Sequence, residues 1–135
     1  MKEKLYKNIA NQIDAIKCFI EKMDIEMIDS ILDNHLKYQE FEKSIFINKL
    51  SNVFNSYIEC GDSYLLSYEC NCNSCDNTKN GYTFVGNLSK NYVSIIFVSR
   101  DNKITDLYEC NYFINNIIDF NLEEQIFIDD EFPPF

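Results

Sequence analysis

The sequence predicts an α+β fold in which three N-terminal helices pack on a curved antiparallel sheet of about four strands. Three observations carry that reading. Apolar residues recur every three or four positions as far as residue 60, and after Gly61 the period changes to two. The segments of the second half are separated by short turns rich in Gly, Asn and Asp, which favour hairpins. Helices grouped ahead of strands argue for a helical layer against an antiparallel sheet rather than alternating βαβ units.

The first helix is predicted over residues 2–22, where Leu5, Ile9, Ile13, Ile16 and Ile20 fall on one stripe with Lys and Glu opposite. Asp24 is positioned to cap a second, shorter helix that turns Ile25, Ile28, Ile31 and Leu32 inward and ends at Asn34 and His35. A third amphipathic pattern runs from Tyr38 to Cys60, and Gly61 stands where a helix stops. Strands follow at 64–70, 82–85, 92–98 and 104–113. Gly86 to Lys90 and Arg100 to Lys103 read as hairpin turns, because Gly, Asn and Asp tolerate positive φ. The opposite face of such a sheet is expected to be solvated, covered by the C-terminal tail, or buried in a homodimer.

One domain, residues 1–115, is expected, followed by an acidic and apolar tail over 116–135 that packs on it. The first residues carry Lys2, Lys4 and Lys7 without a long apolar run, so no secretory signal is read there, and no segment reaches the length of a membrane span. Six cysteines without an export signal point to a reducing, cytoplasmic setting. Abundant Ile, Asn and Lys beside only two Ala and one Arg match the codon bias of an AT-rich bacterial genome. The formal net charge is −10, and residues 51–135 hold thirteen acidic against four basic groups. That balance repels phosphate and argues against nucleic acid, leaving a protein partner or a small polar ligand.

The order of three helices and a meander ending in Ile104-Thr105-Asp106-Leu107-Tyr108-Glu109-Cys110 resembles the nuclear-transport-factor-two-like superfamily, the cone-shaped fold also called cystatin-like. The likeness covers residues 1–113, and the Gly81 to Asn87 segment with Tyr92 is similar to small bacterial members that pair a cysteine knuckle with such a hairpin. The resemblance implies a pocket and often a dimer, but no activity. The Tyr and Asp arrangement of members resembling ketosteroid isomerase has no counterpart here, residue by residue.

Cys70, Cys72 and Cys75 form the most unusual chemistry in the chain. Two sulfurs spaced as Cys72 and Cys75 reach one zinc ion at about 2.3 Å, and Cys70 supplies a third ligand. A disulfide and free thiols remain open alternatives, and a fourth ligand would come from Cys60, Cys110, His35 or Asp76. The expected register sets Cys110 opposite positions near 93 and 85, about 15 Å from Cys70 on ordinary strand spacings, as a buried small hydrophobe. Cys18 and Cys60 are expected to be packing residues. Tyr68, Tyr92 and Tyr108, with Glu69, are the candidate ligand pocket, and Glu69, Asp106 and Glu109 are candidates for acid or base work. The catalytic residues, if any exist, are not identified by a motif.

The function expected from these features is a non-enzymatic binding or protein-interaction module, with one structural zinc at the knuckle as an open feature. A small-molecule isomerase or hydrolase using a carboxylate in the cone, and an immunity-type protein masking a basic partner, are the alternatives.

Overall fold

A computed structural model describes residues 12–69, 79–110 and 123–128. Helix α1 spans Gln12–Glu21 and buries Ile13, Ile16, Phe19 and Ile20. The earlier part of the predicted first helix lies outside the described residues. The helix ends in a Schellman turn: Met23 adopts φ 56°, its N–H reaches the Ile20 carbonyl at 2.9 Å, and the Asp24 N–H reaches that of Phe19 at 2.8 Å. The carboxylate of Asp24 then accepts the Met27 N–H at 3.3 Å and starts α2, Ile25–Ile31. One residue thus closes one helix and opens the next.

α2 stops at Ile31, short of the expected end at Asn34 and His35, because Leu32 turns extended and the N–H of Asp33 goes to the Tyr38 hydroxyl at 2.9 Å. Lys43 covers the carbonyl of Asp29 at 3.0 Å and pairs with its carboxylate at 3.1 Å. The expected third helix also starts later than the apolar pattern suggested. Lys37–Tyr38 (β1) and Phe41–Glu42 (β2) pair as a hairpin, and the helix, α3, runs over Lys43–Glu59. The hairpin turn is Gln39-Glu40, with φ of 51° and 67°. Neither residue favours that left-handed conformation. The conformation is held from outside: the N–H of Gln39 donates to Asp106 at 2.9 Å and its side-chain amide bonds both Glu109 Oε1 and the Glu109 N–H, each at 3.0 Å.

α3 closes as expected at Gly61, where φ is +94°, with Gly61 N–H to Ile58 at 2.9 Å and Asp62 N–H to Tyr57 at 3.0 Å. The chain then forms a four-stranded antiparallel meander in the order β3-β4-β5-β6: Leu65–Glu69, Lys79–Gly86, Tyr92–Arg100 and Lys103–Glu109. β4 is longer than the predicted 82–85, and Tyr64 precedes its strand as a half-exposed residue. Residues 111–113 of the predicted last strand lie outside the described residues. The β5–β6 turn is a two-residue loop, Asp101-Asn102, with φ of 54° and 65°, as the turn chemistry predicted.

Both faces of the sheet carry buried apolar residues. Leu65, Phe84, Val93, Ile95, Phe97 and Leu107 join the helical residues Ile16, Ile20, Phe46, Leu50 and Tyr57 in the main core. Tyr57 fastens the two parts, its hydroxyl donating to the Phe84 carbonyl at 2.8 Å while burial raises its pKa well above the usual tyrosine value. The opposite face holds a second cluster of Val85, Tyr92, Ile96 and Cys110, so it is not the solvated face the alternating pattern allowed. Segment 123–128 runs along the end of β5 beyond the last rung of β6: Tyr92 N–H donates to Glu124 at 2.9 Å and Ile126 N–H to Tyr92 at 2.7 Å. Ile128 enters the main core.

Candidate functional site

Strand alternation places Tyr68, Tyr92 and Tyr108 on the second face of the sheet, where all three pack in the same apolar cluster. At the centre of that face Thr83 and Ser94 are direct cross-strand partners, each 0 % exposed, with their hydroxyls 2.6 Å apart. Tyr68 sits beside Thr83 in the ladder, and Tyr92 and Tyr108 lie one rung to either side of it. Burial raises the pKa of Tyr92. Glu69, by contrast, is paired with Tyr82, follows the parity of the main-core face, and is exposed. The structure therefore groups the tyrosines with one another and separates them from their expected carboxylate.

The other acidic candidates accept hydrogen bonds from backbone N–H groups and from the Gln39 side chain. Asp106 Oδ1 accepts the N–H of Gln39 at 2.9 Å and of Leu107 at 2.7 Å. Glu109 accepts the Gln39 amide through Oε1 and the Ile128 N–H through Oε2 at 2.9 Å. Asp62, 4 % exposed and not singled out by its sequence context, accepts the N–H groups of Leu88 and Ser89 at 2.8 Å each and the Ser89 hydroxyl at 2.6 Å. A Cβ on Gly86 would collide with this clamp, so the tight approach of the turn needs glycine. Burial raises the pKa of Asp106, and the neighbouring Glu40 charge adds to the shift. Burial likewise pushes Tyr38 up to about 12.

A cleft of about 580 Å³ opens elsewhere, between the loop after α2 and the β5–β6 hairpin. Its lining includes Gln12, Asp33, His35, Arg100, Asp101 and Lys103. The side chains of His35, Arg100 and Lys103 are exposed. His35 follows α2 rather than ending it, and its N–H donates to Asp33 Oδ1 at 2.8 Å. Gln12 is positioned from both sides: its N–H donates to Asn102 at 3.2 Å and its Oε1 accepts the Ile104 N–H at 3.0 Å. The chain's single arginine and single histidine thus line one cavity. Sequence reasoning treated the arginine only as part of a turn; its being the one guanidinium in so acidic a chain was the available signal.

Cys70, Cys72 and Cys75, the expected zinc ligands, lie outside the described residues. Among the described residues no group of three or more His, Cys, Asp or Glu side chains could hold a metal ion. Cys110 is buried as expected, and its N–H bonds Ser94, which pairs with Thr83, one and two residues from the expected positions near 93 and 85. Cys18 is half-buried. Cys60 is exposed at the end of α3 rather than packed, since the Schellman turn leaves its side chain outside the core.

Among the described residues the architecture is α+β, with three helices, a four-stranded antiparallel sheet and a small two-stranded sheet. No helix among the described residues is long and apolar enough to cross a membrane. Comparison with known protein families, with curated proteins and with solved structures returns no match.

Proposed function

We propose that this protein is a non-enzymatic binding module of the cone-shaped, cystatin-like kind, and that its recognition site is the cleft between the α2–β1 loop and the β5–β6 hairpin. One observation carries the reading. The half-buried carboxylates on β6, which an isomerase or hydrolase of this architecture would use, are spent on fastening Gln39, Leu107 and Ile128, whereas the cleft is lined by His35, Arg100 and Lys103, whose side chains are exposed. A general base must be within reach of a substrate proton, and these two carboxylates turn accepting oxygens toward N–H groups of the protein instead. A structural zinc held by Cys70, Cys72 and Cys75 belongs to the same proposal, as do a cytoplasmic setting, a homodimer and a protein or small polar ligand as partner.

The test is a turnover assay on aryl esters and on an enolisable ketone with wild type, Asp106→Asn and Glu109→Gln. The expected result is no rate above buffer for any of the three. A wild-type rate that Asp106→Asn or Glu109→Gln abolishes would overturn the proposal in favour of catalysis.

A further inference from the structure

We infer that the cleft binds a small organic anion, its oxyanion group held by Arg100 and Lys103 and a further acceptor on the ligand met by the side-chain amide of Gln12. This deepens the binding-module reading and rests on it. Arg100 and Lys103 are direct cross-strand partners on the last rung of β5 and β6. Like charges in that arrangement repel one another. In a chain of net charge −10, two of the four basic residues beyond position 50 are nevertheless brought together there, and no ion pair to either forms among the described residues. An anion between them removes the repulsion, and the guanidinium fork matches a carboxylate or phosphoryl group through paired hydrogen bonds.

Gln12 is the second, independent observation. It is only 7 % exposed and lines the cleft. Its carboxamide orientation is set by the Ile104 N–H on Oε1, which leaves Nε2 as a donor without an acceptor among the described residues. No buried side-chain nitrogen or oxygen among the described residues lacks a partner, so this Nε2 is the solvent-reaching end of a nearly buried side chain and is open to an acceptor from outside the chain. The volume of about 580 Å³ is that of a metabolite site rather than of a protein footprint. Asp33 and Asp101 also line the cleft and disfavour extended polyanions, so the ligand is a compact one with one or two negative charges.

The experiment is an amide-resolved NMR titration of the full chain with succinate in one arm and inorganic phosphate in the other. Saturating shifts are expected at residues 33–36 and 100–105; succinate alone shifting them identifies a carboxylate ligand, phosphate alone a phosphoryl ligand. Arg100→Gln and Gln12→Glu should each weaken the effect at least tenfold, the second keeping the Ile104 bond while replacing the donor by a repelling carboxylate. Lys90→Gln, a cation away from the cleft, should leave it unchanged. Shifts that fail to saturate in both arms, or affinity that survives Arg100→Gln and Gln12→Glu in folded protein, overturn the inference. That failure would leave the turnover assay untouched, and turnover with intact anion binding would sink only the non-enzymatic reading.

Discussion

Asp106 offers the sharpest separation between a carboxylate that holds the fold and one kept for chemistry. Both of its backbone bonds, to Gln39 and Leu107, end on Oδ1. Asparagine supplies an oxygen at the same place, so Asp106→Asn retains both bonds while removing the half-buried charge. Alanine removes both. At about 0.5 to 1.5 kcal/mol net for each hydrogen bond, Asp106→Ala should lose about 2 kcal/mol. The sign of the pH dependence follows from the direction of the pKa shift. Burial raises the folded-state pKa of Asp106 above its usual 3.8, so the folded protein binds the proton more tightly than the unfolded chain. Ionisation then costs stability as pH rises from 3.8 through the raised value, and the cost is fully present above it. Asp106→Asn should therefore equal or exceed wild type at pH 7, and its advantage should vanish as acidification protonates the wild-type side chain. Urea unfolding followed by circular dichroism at pH 7 and pH 4 measures this. If Asp106→Asn loses as much as Asp106→Ala at pH 7, the clamp argument is wrong.

The other carboxylates and the core make further predictions. Asp62→Ala should lower stability by about 3 kcal/mol, since it strips charge-assisted acceptors from Leu88 and Ser89; a urea midpoint close to wild type would contradict that. Glu109→Ala should speed hydrogen exchange at the Ile128 and Ile126 amides by about tenfold without affecting β4, because it frees one anchor of the C-terminal segment. Tyr57→Phe should cost about 1 kcal/mol in thermal or urea unfolding through the lost bond to Phe84. For the cysteine knuckle, elemental analysis of protein purified without chelator should find one zinc per chain, and Cys72→Ser should lower both zinc content and melting temperature; metal-free protein with six titratable thiols would end the zinc proposal.

Much of the fold was legible because its signals are local. The N-cap at Asp24, the glycine stop at Gly61 and the Asp101-Asn102 turn each follow from side-chain and backbone chemistry within a few residues. The hairpin Lys37–Glu42 was not legible, because Gln39 and Glu40 carry no turn signal and Tyr38 and Phe41 continue an apolar pattern of helical spacing. Left-handed backbone at such residues costs on the order of 1 to 3 kcal/mol each, and only contacts to Asp106 and Glu109, distant in sequence, offset it. Met23 escaped for a similar reason, since a Schellman turn without glycine leaves no mark in the composition. Each strand of the four-stranded sheet holds one tyrosine, and the joining of Tyr68, Tyr92 and Tyr108 with the Thr83–Ser94 pair depends on register between strands.

The sequence by itself determined that helices precede the four-stranded meander, the change of period at Gly61 and the acidity of the second half, because hydrophobic periodicity and capping act over one or two turns of chain. Tertiary structure alone decided what the polar groups do. It turned Asp62, Asp106 and Glu109 into acceptors for distant backbone N–H groups, and it gathered Gln12, His35, Arg100 and Lys103 around one cleft. A polar side chain's role is set by which donors, acceptors and charges lie within hydrogen-bonding reach, and that distance exists only after the chain has folded.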